Sequence, residues 1–457
     1  MRKNPNATFI RYLSFANTEV LVPISVEAFK EILQTKCYSF QKSAAWRRIM
    51  KEILGDGIVS MEFDRHRAHR KILNSCFTVT NIRKLEPVFK AKAFEVNQLF
   101  DRSIAVGNDG ETGVIDCCEY FSKFTLDVTT IAVLGTDAGS VASTTLPGET
   151  KPHDIEAKYE LHDAYMNTLA QGTLGGILML ANSYVPTRWL PLQANRDFLF
   201  GASWLRNYVT QLLRKRHEEL KKSMDAGKYE TSGSRDILTF LLEESMPGGS
   251  AEGATESETV GHLLNCMAGG HETSAYMLSF GLYFMANKPD IQNRLREEIL
   301  ELGDDPSFSE LDRLSYLDNF IKETLRLYPP ATGMFRETIE DITIQGVPIP
   351  KGTLFDIMAS VPALNPAIWG GNADEVDPTR WDRLSGEQLS PYVFQCFSSG
   401  PRICPGRSFA FMEIKIILAE IIRNFRILEV AKGFKIQNPS LTMRPSGLEI
   451  RLERITP

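Results

Sequence analysis

Apolar positions recur along most of the chain at intervals of three and four residues, the pattern of helices that bury one face. Read in order, that period predicts a short helix over 25–35, with Ser25 as its cap and Glu27 in the first turn, and a basic helix over 64–74. Two helical patterns lie within 84–135, and the second of them, 121–134, stops at Gly135. Helices follow over 154–190 and 193–222, parted by Pro186 and Pro191, and then a long one over 256–287, closed by Pro289. Three more cover 290–303, 318–328 and 408–423, the last apolar nearly all round. Strand signals are confined to three places, each read as a hairpin: 8–23 around an Asn turn, 335–350 turning at Gly346, and 440–450. The segment 36–60 reads as irregular, and the glycine-bearing polar stretches 136–153 and 227–253 as surface connections, the first of them mobile. The pattern predicts a mainly α fold with a small β-rich lobe. No linker divides residues 1–457, so one domain is expected.

Composition narrows this little. Charged residues are 24% and hydrophobic residues 43% of 457, ordinary for a globular protein, and a net charge of −6 gives no reason to expect nucleic-acid binding. The seven cysteines are scattered and lack metal-finger spacing, which argues against a disulfide framework and fits a reducing compartment. The most apolar long run, 168–191, is broken by Gln171, Gly172, Gly175, Gly176, Asn182 and Pro186, too often to span a bilayer.

The chemistry is concentrated in Phe-Ser-Ser-Gly-Pro-Arg-Ile-Cys-Pro-Gly at 397–406. Gly400, Pro401, Pro405 and Gly406 force a tight loop just ahead of the 408–423 helix, where free backbone N–H groups and the helix dipole favour a thiolate at Cys404. A thiolate in a rigid loop is a good axial ligand for iron, although a lone cysteine is more often simply buried. A second anomaly is Ala-Gly-Gly-His-Glu-Thr-Ser-Ala at 268–275, inside the long helix. Two adjacent glycines there cost about 1 kcal/mol each relative to Ala. Either a flat ligand approaches the backbone, or the helix has an ordinary kink with a satisfied polar pair. His66 and Arg70, four apart, share a helix face, as any solvated basic helix would allow.

Together Phe397, Gly400, Arg402, Cys404 and Gly406 resemble the haem-binding loop Phe-x-x-Gly-x-Arg-x-Cys-x-Gly of the cytochrome P-450 family of haem-thiolate monooxygenases. The resemblance implies the cytochrome P-450 fold around haem b, with Cys404 as iron ligand, Arg402 beside a haem propionate and Phe397 beside the thiolate. Gly269, Gly270, Glu272, Thr273 and Ser274 match the family's Ala/Gly-Gly-x-Asp/Glu-Thr-Thr/Ser motif, which implies oxygen handling by the Thr273 hydroxyl and proton relay by Glu272. By the same resemblance His66, Arg70 and Arg336 contact the propionates. Glu323, Arg326 and Arg380 form a buried network that holds the cysteine loop. Arg65, Arg67, His69 and Lys71 would offer a basic face to an acidic electron donor. One departure is Ala-Leu-Asn-Pro at 363–366, where the family often has His-Arg-Asp-Pro, so no haem contact is assigned there.

The implied reaction inserts one oxygen atom from O2 into a small lipophilic organic substrate, the other leaving as water. Electrons would come from NADPH through a flavoprotein reductase, with a cytochrome b-type protein as a second donor. The style resembles eukaryotic microsomal members, fungal secondary-metabolism enzymes in particular. It implies a monomer on the cytoplasmic face of the endoplasmic reticulum membrane, with the tip of the 154–222 helices touching the bilayer. The usual membrane anchor and leading helix are not visible before the hairpin at 8–23. Two other readings stay open: a haem-thiolate isomerase or dehydratase working without O2, and a non-catalytic haem-binding protein.

Overall fold

The computed structural model describes residues 7–455 apart from 15–16, 108, 147–155, 170–171, 228–235 and 438–440. At its centre lies the helix Glu256–Asn287, here the central helix, opened by a capping box between Thr255 and Glu258. It is apolar on nearly every side because helices cover it on nearly every side. Cys117–Leu134 runs against it, capped by Asp116 and ended by Gly135 in the left-handed conformation, as the pattern predicts. Ser315–Leu327 and Arg407–Asn424 pack on the other flanks. Phe121, Phe280, Phe320, Ile417 and Ile421, all fully buried, join these elements in one cluster. Each such side chain contributes about 1.5–3 kcal/mol, which makes this cluster the rigid base of the molecule.

The β-rich lobe is a five-stranded sheet in the order Phe9–Leu13, Glu19–Pro23, Leu354–Met358, Gly333–Thr338, Phe40–Lys42. All its pairings are antiparallel except Glu19–Pro23 with Leu354–Met358. The pairing of Lys42, on an edge strand, with Arg336 on the strand beside it brings two cations together from distant parts of the chain. A separate three-stranded sheet joins Thr112–Asp116, Glu449–Arg454 and Phe425–Lys432.

Several expectations are corrected. The segment read as irregular holds the helix Ala44–Leu54, capped by Ser43 and burying Ile49, Met50, Ile53 and Leu54. The polar connection 227–253 contains Ile237–Ser245, whose Asp236 cap and four apolar residues suffice for a short packed helix. The connection after Gly135 is pinned where it is described: the buried Asp127 carboxylate accepts from the N–H groups of Ser140 (2.7 Å) and Val141 (3.0 Å). The pattern over 154–190 divides into Glu156–Leu169 and Gly172–Asn182. The predicted hairpin 440–450 is replaced by a long-range pairing, since Glu449–Arg454 lies between strands from elsewhere in the chain. Among the described residues no helix is long and apolar enough to cross a membrane.

Candidate functional site

Buried residues surround the middle of the central helix, yet Gly269 is exposed and Thr273, one turn on, is partly exposed. The stripe opens onto an internal space. A Cβ added at Gly269 would meet no atom within 4 Å. Its neighbour Gly270 has a different reason to be small, because a Cβ there would stand 2.7 Å from Thr129 Oγ1 on the adjacent helix. The two glycines thus serve two faces, one open and one closely packed. Thr273 donates its hydroxyl to the Gly269 carbonyl at 2.7 Å, which leaves the oxygen's lone pairs free to accept. Glu272 points to another side of the helix, is buried, and accepts from Thr442 Oγ1 at 2.7 Å.

The cysteine loop forms the opposite wall. Cys404 N–H donates to the Phe397 carbonyl at 2.8 Å, closing the loop on itself. Ser398 and Gly400 both take positive φ, 59° and 70°. A Cβ at Gly400 would sit 2.1 Å from the Leu33 carbonyl, so only glycine fits there. The Phe397 ring lies 5.6 Å from that of Phe411 on the following helix, Arg407–Asn424. The Cys404 thiol is exposed, yet burial pushes its pKa up, so it opens onto an enclosed space rather than the outer surface. The Gly406 N–H and the charges of Arg70 and Arg407 pull the other way without prevailing. The Gly406 N–H at the helix start favours the thiolate, as the sequence suggests, and burial outweighs it; a metal cation is what deprotonates a thiol outright. Across the space, the Cys266 thiol of the central helix is pushed up to about 12, mainly by burial and further by Cys404. The Cys404 thiol therefore lies within electrostatic reach of the central helix.

At one end of this space stands a group of buried cations. Arg402 donates to Glu62 at 2.6 Å and to the Phe40 carbonyl at 3.3 Å, while its Nε and Nη1 are buried without partners. Arg336 is buried beside it, held only by weak contacts to the Phe335 carbonyl and the Met334 sulfur, and burial together with Arg402 brings it down to about 10. His66 is buried with Nδ1 unpartnered; burial, then Lys42 and Arg402, drive it down to about 3. Arg70 is half-buried on the same helix, Phe63–Cys76, within electrostatic reach of Cys404. The structure thus brings His66, Arg70, Arg336, Arg402 and Cys404 to one region.

Two members of the group escaped the sequence reading. Glu62 is the one carboxylate among these cations; burial would raise its pKa, but the Arg402 hydrogen bond and Lys42 reverse the sign and lower it. Lys42 Nζ bonds the Met61 carbonyl at 2.7 Å and lies 3.7 Å from Glu62, and burial brings it down to about 7. The available signal for Lys42 was a lysine two positions after Phe40, which is weak until the Arg336 strand pairs beside it.

The cytochrome P450 family profile matches residues 8–452. The chain belongs to the cytochrome P450 family. "Cytochrome P450 monooxygenase sphH" of Aspergillus fumigatus is 27% identical to it, over 98% of this chain and 78% of the relative. "Cytochrome P450 monooxygenase FUM15" of Gibberella moniliformis is 29% identical, over 94% and 76%. The crystal structure of a cytochrome P450, CYP102L1, superposes with a TM-score of 0.77 over 99% of this chain and 93% of that one, at 21% identity, a likeness of fold.

A P450 of this family implies haem, and the residues present fit it. Haem b carries two propionate carboxylates. Among the described residues, Glu62 is the carboxylate that faces Arg336, Arg402 and Lys42, with three buried nitrogens of Arg402 and His66 unpartnered. Buried charge in that state calls for opposite charge. The exposed stripe at Gly269 and the thiol of Cys404 suit the two faces of a flat group.

The scaffold network is complete. Glu323 takes a two-pronged bond from Arg326, 2.8 Å on each prong, and further bonds from Arg380 Nε (3.3 Å), Trp381 Nε1 (3.0 Å) and the Asp377 N–H (3.0 Å). The Trp381 ring then packs 5.2 Å from Phe394, three residues before Phe397. Three of the four residues expected to offer a basic face have partners. Arg65 is tied to Asp56 and Glu258, Arg67 to Asp64, and His69 Nδ1 lies 2.9 Å from His262 Nε2. Of the four residues, Lys71 alone has no such partner among the described residues.

Proposed function

We propose that this P450 is a haem-thiolate monooxygenase of a single haem domain, acting on a lipophilic organic substrate in fungal secondary metabolism. One arrangement supports the reading: Gly269 and Thr273 are exposed within a buried helix, the Cys404 thiol is exposed within electrostatic reach of that helix, and a buried, under-neutralised cation cluster includes Arg402 of the same loop. Bound haem b would supply dioxygen activation, with a cysteine thiolate feeding electron density to the iron. Cys404 is the residue to ligate the iron. Arg336, Arg402, His66, Arg70 and Lys42 would hold the propionates, and Phe397 shields the thiolate. Thr273 Oγ1 presents a hydroxyl on the open face, and Glu272, fixed by Thr442, relays protons to that side. An acid–alcohol pair favours oxygen chemistry over peroxide rearrangement and over simple haem storage. Electrons come from NADPH through a separate reductase.

The decisive experiment is the reduced carbon monoxide difference spectrum of the purified protein. A strongly red-shifted Soret band supports the reading; a histidine-type band or no haem band overturns it. Thr273→Ala should keep that band, because Ala is the better helix former. It should raise the share of NADPH lost to hydrogen peroxide about tenfold, measured with reductase. Unchanged coupling would remove Thr273 from proton delivery.

Membrane association belongs to the same proposal. Leu174 and Ile177 on Gly172–Asn182, Val185 and Trp189 in the connection that follows, and Phe200 on Gln193–Asp225 are exposed, Trp189 by 75%. Leu13, 61% exposed, adds to them from the opening hairpin, where Tyr12 lies within electrostatic reach of Tyr184. A patch of this kind suits a bilayer interface. The double variant Trp189→Ser, Phe200→Ser should bind phosphatidylcholine vesicles about tenfold more weakly in co-flotation. Equal binding would rule the patch out.

A further inference from the structure

The helix Ala44–Leu54 differs in character around its axis. Trp46, Ile49, Met50 and Ile53 form its apolar face and pack in one cluster with Met179, Phe198 and Ala268 of the central helix. Lys51 follows Arg48 by three positions and Arg47 by four, so the three cations share the opposite face. That face lines a cavity of about 520 Å3, whose other wall carries Asp56, Glu62 and Arg65. Four cations thus meet two carboxylates, and both carboxylates are already taken. Glu62 accepts from Arg402 at 2.6 Å. Asp56 accepts from Arg65 at 3.0 Å and has Lys51 Nζ at 3.7 Å, while Arg65 is shared with Glu258 at 2.7 Å. Among the described residues Arg47 and Arg48 form no ion pair, and the Nε of Arg47 is buried without a partner. A cavity with this surplus of positive charge draws in an anion.

Its place in the fold indicates which anion. One turn along the helix from Arg48, Glu52 accepts from Arg188 at 2.7 and 3.1 Å and from the Asn182 amide at 3.1 Å. Arg188 lies between Val185 and Trp189, two of the exposed apolar residues of the interfacial patch. The Arg188–Glu52 pair is mostly shielded from water, with its side chains 13% and 22% exposed, so it fixes the cationic face beside that patch. Arg48 and Lys51 are themselves exposed, and their long stems let the charges reach outward. Cations next to apolar side chains that enter the edge of a bilayer are the arrangement that anionic headgroups select.

We propose that this cavity receives the phosphate of an anionic lipid headgroup, held by Arg47, Arg48 and Lys51 while the apolar patch sits in the same leaflet. Guanidinium groups bind phosphate oxygens two at a time, and the lysine adds a point charge. The lipid is one with a bare phosphate, of the phosphatidic acid type. The choline of phosphatidylcholine would bring a like charge into a cationic cavity. The inference rests on the membrane reading above and adds lipid selectivity to it.

The test is co-flotation of the full chain with vesicles of phosphatidylcholine alone and of phosphatidylcholine mixed with phosphatidic acid. The wild type is expected to bind the mixed vesicles more tightly. A cation at an anionic surface is worth about fivefold in binding, so Arg48→Ala, Lys51→Ala should lose about 25-fold on the mixed vesicles. It should bind neutral vesicles as before, and its unfolding midpoint should not fall, because both are exposed helix positions that favour Ala. Lys215→Ala, Lys221→Ala removes the same charge from exposed positions of Gln193–Asp225, about 22 Å or more beyond Phe200, and should leave the preference in place. A preference lost equally in this control would reduce the effect to net charge and overturn the proposal, as would a wild type indifferent to phosphatidic acid. Glycerol 3-phosphate separates the other source of the same chemistry. If it binds the lipid-free wild type tightly in calorimetry but not Arg48→Ala, Lys51→Ala, the cavity belongs to a soluble phosphate and the lipid assignment is overturned. Failure of the parent reading would look different, as a Trp189→Ser, Phe200→Ser protein that binds neutral vesicles undiminished.

Discussion

Replacing Cys404 with Ala should abolish the red-shifted carbon monoxide band and cut NADPH-driven turnover at least about 1,000-fold. The change should spare the fold. Cys404 is exposed to the internal space and packs little, and the loop is closed by its backbone bond to Phe397, which Ala keeps. Haem content would fall but not vanish, because the cations at Lys42, Arg336 and Arg402 remain to hold the propionates. The informative result is therefore a protein with native unfolding behaviour, residual haem and a non-thiolate spectrum. A variant retaining the thiolate band would place the iron ligand elsewhere and remove the basis of the proposed function.

The largest effect on stability should come from Glu323→Ala. Glu323 and Arg326 are both fully buried, and the carboxylate answers Arg326, Arg380 and Trp381 at once. Removing it leaves two buried guanidinium groups without their counter-charge, a loss of about 3–5 kcal/mol. Total stability is typically about 5–15 kcal/mol, so little haem-loaded protein should accumulate. The exposed pair Arg383–Asp377 provides the control: Arg383 is 66% exposed, and Arg383→Ala should cost about 0.5 kcal/mol or less. Urea unfolding midpoints and haem content measure both. A Glu323→Ala protein as stable as the Arg383→Ala protein would contradict the assigned role of the network.

These two residues mark where sequence reasoning was strong. Cys404 and Glu323 sit in short segments whose residue types are tied to local geometry: a loop that only glycine can turn, and a helix that places Glu323 and Arg326 three apart. Residues fixed by contacts far along the chain were not legible. Lys42 and Glu62 join the cation cluster only because the strand Phe40–Lys42 pairs with Gly333–Thr338, nearly three hundred positions away. The basic helix misled in the opposite direction, since its charges look free until Asp56 and Glu258 arrive from other segments.

The sequence by itself determined the helical character, the site of the central helix and the tight cysteine loop, because periodicity, capping and loop-forming residues act within a few positions; the Glu323 network came from the resemblance, since a Glu and an Arg three apart say little alone. It also pointed to the short strands of the lobe, though not to their partners. Only the tertiary structure decided which face of each helix meets which neighbour. That decision separated Gly269, open to the internal space, from Gly270, closed against Thr129. It left Thr273 partly exposed and buried Glu272 and Ser274 on either side of it. It also raised the Cys404 thiol where the local dipole alone would have lowered it. The reason is the same each time: charge and packing depend on what surrounds a group in space, and burial sums over the whole fold rather than over neighbours in the chain.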